Sequence, residues 1–390
     1  MKTNHFKKII LFPILLGISQ VSWAACDQTL SPGANLASAV SGAPAGTTIC
    51  LNSGNYGNVT LSNISKASAV TLQSATGVGA TIAITLNSSN QLTLKSMTLS
   101  GLTWSGNANT NIKVLNNTFK GQMYIFGNGN GTPQNNVIDS NTFDGINACA
   151  SCYEGRLQIY GGGNLVVSNN HFGSGGDSDG IQMGGYGSVI GPGNVFENIV
   201  YMGSRHIDAI QLYGEVDHQT ITGNYFKGNT DHMMAPDGGN AVKITDNVFV
   251  GGGATDYFAV ITGSQSNITI SHNTAIGAAF TVDAKSGSPA SSNALIQDNI
   301  VLNGEFKVVC TSCTYNHNLF NTGSKPLGTN NITGTPTFTE GSSPTTWAGY
   351  QLTSGSLGYR AATDGKDMGT NTFGSVTTKA LAAPTNLRIQ

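Results

Sequence analysis

The chain has 390 residues, a formal net charge of −2, only 10% charged side chains and 51 glycines. Such a balance offers no basic field for nucleic acid and no polybasic patch for a membrane surface. A length of this order ordinarily suggests two domains, but a repeat protein escapes that rule because its core grows along one axis.

Lys2, Lys7 and Lys8 precede the apolar run Ile9 to Ile18, and Ser22-Trp23-Ala24 closes it, which reads as a cleaved export signal over 1–24. The run is too short to span a bilayer, and no other apolar run approaches that length. A lipoprotein would carry its lipid on Cys26, a motif that Trp23 fits badly. The expected location is therefore secreted or periplasmic. Without the three signal lysines the remaining chain would carry −5. Export permits disulfides, and the six cysteines fall as Cys26 and Cys50, Cys149 and Cys152, and Cys310 and Cys313. Zinc is the rival reading of the two CxxC pairs, but no histidine is tightly spaced beside either.

Asn35 to Val40 predicts a short helix that caps an open core. Beyond it one pattern recurs: a β-rich run, then Asn, any residue, and usually Phe. It stands at Asn117/Phe119, Asn141/Phe143, Asn170/Phe172, Asn194/Phe196, Asn224/Phe226 and Asn247/Phe249, then weakens at Asn273, Asn299/Val301 and Asn318/Phe320. The Asn spacings of 24, 29, 24, 30, 23, 26, 26 and 19 are those of a solenoid. The Asn is expected to take the left-handed conformation of a tight turn and to bond its copy in the next coil. The Phe is expected to point inward and stack on its neighbour.

A second register keeps step with the first. It aligns Arg156-Leu-Gln158-Ile-Tyr160, Gly180-Ile-Gln182-Met-Gly184, Ala209-Ile-Gln211-Leu-Tyr213, His232-Met-Met234 and Tyr257-Phe-Ala259. Strand alternation predicts Leu157, Ile181, Ile210, Met233, Phe258, Val282 and Val308 inward, with Arg156, Gly180, Ala209, His232 and Tyr257 outward beside the file Gln158, Gln182, Gln211 and Met234. The fold class is all-β: a single right-handed parallel β-helix over 25–340, with a closing segment and tail over 341–390. Gly46-Thr-Thr-Ile-Cys50-Leu with Gly54-Asn-Tyr56 resembles the first coil of bacterial pectate-lyase-like β-helix proteins, and 358–369 resembles their closing segment. These motifs specify the fold and not the substrate.

Charged residues are rare, so their concentration over 154–261 carries information. Asp177, Asp179, Asp208, Asp231, Asp237 and Asp256 lie near Arg156, Arg205, His206 and His232. Asp179-Gly-Ile-Gln182 and Asp208-Ala-Ile-Gln211 are equivalent on successive coils. Carboxylates stacked at about 4.8 Å repel and need protons or cations. Asp177, Asp179, Asp208 and Asp231 would hold Ca²⁺, a hard cation suited to oxygen ligands. They would instead be a glycosidase acid and base, or turn residues capping backbone amides.

Asp179, Arg205, His206, Asp208, Asp231 and His232 are the candidate catalytic residues, with Arg205, His206, His232 or Arg156 as base. Arg156, Gln158, Tyr160, Gln182, Gln211 and Tyr213 are the candidate substrate contacts, Arg156 as a carboxylate clamp and the tyrosines as stacking surfaces. Lys243 lies on another face and is not expected to act. β-Helix lyases of acidic polysaccharides resemble this chain in fold and in acids on one strand face, which implies β-elimination on a uronic-acid-containing polymer. Polygalacturonase-like hydrolases are echoed by Asp177-Ser-Asp179-Gly180, but their Gly-His-Gly and Arg-Ile-Lys segments are missing, as is the Asp-Pro-His motif of uronan epimerases. A non-catalytic carbohydrate-binding or adhesin solenoid would need the Gln and Tyr files and not the charged cluster. The expected partner is an acidic polysaccharide, bound by a monomer without membrane insertion.

Overall fold

The computed structural model describes residues 25–373, except 106–108, 128–133, 148–153, 162, 174, 201–206, 236–237, 252–256, 262–264, 283–289, 305 and 322–327. The export signal and the Cys149/Cys152 pair lie outside the described residues. Two parallel sheets run the length of the molecule and a third begins at His171–Phe172, from where each coil contributes a strand to all three in turn. One coil shows the order: Val166–Ser168 in the first sheet, His171–Phe172 in the third, Asp179–Tyr186 in the second, then Val189–Ile190 back in the first. Every pairing along the three sheets is parallel, which makes the molecule a parallel β-helix.

The two repeats explain why this chain coils. The Asn file is buried at the turn between the first and third sheets. Asn117 donates its side-chain amide to Asn141 Oδ1 at 3.0 Å, and the relay passes through Asn170, Asn194, Asn224, Asn247, Asn273 and Asn299 to Asn318. Each such Oδ1 also accepts the preceding coil's backbone N–H, as Asn170 Oδ1 does from Asn141 N at 2.9 Å. An amide carries both donor and acceptor, so the file satisfies itself inside the wall, at a net gain of about 1 kcal/mol per bond. The left-handed backbone belongs to the residue before each ladder Asn and not to the ladder Asn itself: Asn116, Ser140, Asn169, Asp246, His272 and Asp298 have φ of 52–59°, with Gly193 and Gly223 in the same role. The ladder position must be extended to aim its amide along the axis.

Two residues on, Phe119, Phe143, Phe172, Phe196, Phe226 and Phe249 stack with centroids 4.2–4.8 Å apart. Leu157, Ile181, Ile210, Met233 and Val282 are fully buried against them as foreseen. The end of the core is closed by the helix Leu36–Gly42, whose Leu36 and Val40 are buried and whose cap Asn35 accepts from Ser38 N at 3.0 Å. Cys26 is bonded to Cys50 and Cys310 to Cys313.

After the coils the chain does not stop at the end of the core. Residues 334–373 run back along the outside of the third sheet, where Trp347, Tyr350, Leu352 and Met368 cover Val195, Tyr225, Val248, Ile300 and Leu319 in a second apolar core. This strap is hooked on the turns: Asp298 Oδ1 accepts from Thr363 N at 2.8 Å, and Asp246 Oδ1 accepts from Asn371 N at 3.1 Å.

Candidate functional site

Asp179, Asp208 and Asp231 each open a strand of the second sheet, directly after the turn from the third. Asp208 stands opposite Asp231, and Gln182 opposite Gln211, so the two Asp-x-x-Gln segments are in register. The Asp208 backbone N–H donates to Asp179 Oδ1 at 2.8 Å. All three carboxyls are enclosed, at 0%, 0% and 8% exposure. Burial first, then the charges of Asp179, Asp231 and Glu154, raise the Asp208 pKa well above the ordinary carboxylate value. Glu154 was not foreseen. Its place just before the strand Gly155–Tyr160, one coil from Asp179, was the available signal.

Asp177 lies in the turn two residues earlier, its N–H donating to Asn147 Oδ1 at 2.8 Å. One of its carboxylate oxygens is enclosed without a hydrogen-bond partner. These donors are all hard oxygens, the chemistry that Ca²⁺ or Mg²⁺ prefers. Among the described residues, however, no three acidic, His or Cys side chains already surround one ion position.

Arg156 and His232 do not face outward. The Arg156 side chain is fully buried and donates to the backbone carbonyls of Phe143, Gly173 and Gly175. Burial lowers its pKa to about 10, with Asp144 and Asp179 opposing the shift, so it stays cationic at neutral pH. His232 is enclosed between the rings of Phe226 and Phe249, with its Nδ1 3.3 Å from the Asn229 amide, and burial drives its pKa down to about 3. Gly180 shows why this file turns in: a Cβ there would meet Ala209 O at 2.5 Å and Phe196 Cδ1 at 3.0 Å. The chain bends inward as it enters the second sheet, so two successive residues face the core and strict alternation starts one position later. Arg156 is thus no exposed clamp, and His232 is no accessible base.

Gln158, Gln182 and Gln211 do form one row, and Gln182 donates to Gln211 between coils. They are 1–7% exposed and belong to the wall more than to its surface. Beside them Tyr160 is half-buried and Tyr213 is 45% exposed. Arg205, His206, Asp237 and Asp256 lie outside the described residues. Lys243 is exposed on the first sheet, apart from the acids. A separate charged group escaped the sequence reading. His171 lies between Asp144 Oδ1 at 2.8 Å and Glu197 Oε1 at 3.0 Å, and those two hydrogen bonds raise its pKa to about 9.

The sequence matches no protein-family model and no curated protein. Its fold is that of solved parallel β-helix lyases. The PL6 family alginate lyase AlyGC is 14% identical with a TM-score of 0.58, over 89% of this chain and 58% of that one. A mannuronic acid specific polysaccharide family 6 lyase from human gut microbiota is 16% identical with a TM-score of 0.51, over 78% and 83% of the two chains. A PL6 alginate lyase in complex with a trisaccharide is 12% identical with a TM-score of 0.51, over 89% and 95%. At such identities the likeness is one of fold, and this chain spans little more than half the length of AlyGC.

Proposed function

We propose that the chain is an exported polysaccharide lyase that cleaves a uronic-acid-containing polymer by β-elimination at the Asp179–Asp208–Asp231 file. One observation carries this reading: three enclosed carboxyls are stacked on consecutive coils, and burial together with the charges of its neighbours raises the proton affinity of the middle one. A structural ladder in the same wall uses amides, which carry no such charge.

β-Elimination asks for two things: the uronate carboxylate must be neutralised, and its C5 proton must be accepted. Asp208, whose proton affinity is raised, would stay neutral in the wall behind the uronate and so spare it a further negative charge. Ca²⁺, if bound by Asp177, Asp179, Asp208 and Asp231, would supply that neutralisation. His206 and Arg205, just before Asp208 in sequence, are the remaining candidates for the base. A second reading has an observation of its own: a high-pKa Asp208 beside Asp179 is also the acid and partner that a glycosidase uses.

The test is absorbance near 235 nm during incubation with a panel of acidic polysaccharides, with Ca²⁺ and with chelator. We expect a rise on one substrate, reduced about 100-fold or more in Asp208→Asn and His206→Ala. A flat trace with new reducing ends would assign a hydrolase. Neither signal, from a folded protein that still binds the polymer, would leave a binding solenoid.

A further inference from the structure

Tyr124 and Phe126 stand two residues apart on the strand Met123–Phe126 and so share its outward face. Register sets Tyr124 opposite Gln158 and Phe126 opposite Tyr160. The rings of Phe126 and Tyr160 are 6.1 Å apart and 4° from parallel, and those of Tyr124 and Phe126 are 6.1 Å apart and 15° from parallel. In the next coil the corresponding place, after Met183, is Gly184 and carries no ring. One coil further, Tyr213 follows Leu212, where the register slips and Gly185 faces Val216. Gly214, at φ 72°, turns the chain at this bulge. The extra residues lift Tyr213 to 45% exposure, and bulges re-aim side chains in this way.

We propose that Tyr124, Phe126, Tyr160 and Tyr213 are the walls of a cleft, floored by Gly184, that stacks the pyranose rings of a polysaccharide lying along the helix axis. This rests on the reading of the chain as a polysaccharide-active protein. Tyr160 and Tyr213 belong to coils two apart, with the ringless Gly184 on the coil between them. Sugar fits better than a nucleotide or a phosphate: the one cation on these strands, Arg156, is turned into the core. A pyranose offers an apolar C–H face to the rings. The cleft also lies on the sheet that carries the acid file: Tyr213 shares the strand Asp208–Asp217 with Asp208, and Tyr160 is one coil before Asp179, so a polymer seated in it would run over the wall that encloses these acids.

The experiment is calorimetric titration of the full chain with oligosaccharides of alginate, of polygalacturonate and of a neutral β-glucan, using Tyr213→Ala, Phe126→Ala and Tyr213→Phe. Leu357→Ala, exposed on the distant strap, is the control. We expect affinity for at least one oligosaccharide to fall about three- to tenfold in each alanine variant. Tyr213→Phe should restore it and Leu357→Ala should leave it unchanged. Wild-type affinity in both alanine variants with unchanged melting, or no binding of any probe to the wild type, would overturn the cleft. The 235 nm assay separates this from the lyase reading. Binding lost in the variants of a protein that cleaves nothing sinks the lyase and keeps the cleft; cleavage with an unchanged KM in Tyr213→Ala does the reverse.

Discussion

The wall of this solenoid holds two files of short polar side chains, and they behave oppositely. The Asn file donates and accepts from coil to coil and ends with its groups satisfied. The Asp179–Asp208–Asp231 file has the same spacing and burial, but a carboxylate only accepts. An oxygen in place of a nitrogen on each side chain separates a file that bonds itself from coil to coil from one that must find its donors elsewhere. A stacked, buried, like-charged file persists where function requires it, at a cost to stability.

The contrast can be broken first on its stable side. Asn194→Ala removes the acceptor for Asn170 and the donor to Val167 O and Asn224. With several buried groups left unpaired at roughly 1–3 kcal/mol each, a loss of about 4 kcal/mol is expected in chemical denaturation. Arg156→Met comes next, at about 3 kcal/mol, because three carbonyls lose their donor and Asp144 and Asp179 lose a buried cation. Arg156→Lys should recover only part of this, since an ammonium lacks the fork.

The acid file should answer with the opposite sign. Asp208→Asn turns one carboxylate into an amide and is expected to stabilise the chelated protein by about 1 kcal/mol. The folded-state pKa of Asp208 lies above its unfolded value, so its penalty appears as pH rises above the ordinary carboxylate range. The gain should therefore be absent near pH 3 and full at alkaline pH; a constant gain would mean that repulsion is not its source.

The smallest effect belongs to His171. Its raised pKa means that the stability it adds is fully present below pH 6.5 and is lost as pH rises through about 9. His171→Gln should lower the melting temperature by a few degrees at pH 6 and leave it unchanged at pH 10.

The coil period, the Phe stack and the amide relay were legible because they repeat: each copy confirms the others. The left-handed position was misplaced by one because pairs such as Asn116-Asn117 and Asn169-Asn170 offer two candidates. The glycines at 193 and 223, just before their ladder residues, were the better guide. Arg156 and His232 were misread by carrying two-residue alternation through a bend. Gly180 and Ala209 between them, small where an exposed face has no need to be, mark the crowding. The acid file and the Gln row were found from spacing alone, since register follows spacing in a solenoid. Neither the rings of Tyr124 and Phe126 nor the His171 group stood out, because each depends on which coil sides meet and not on a recurring letter.

The strap over the third sheet has an evolutionary consequence. It touches the turns at Asp246, His272 and Asp298 and reaches Gly223, meeting each coil in succession. A β-helix can in principle gain or lose a coil by duplication or deletion, since each rung resembles the next. Here such an event between Gly223 and Phe320 would throw every later contact of the strap out of step. The strap works as a ruler laid against the rungs, so this half of the molecule changes length only if both segments change together.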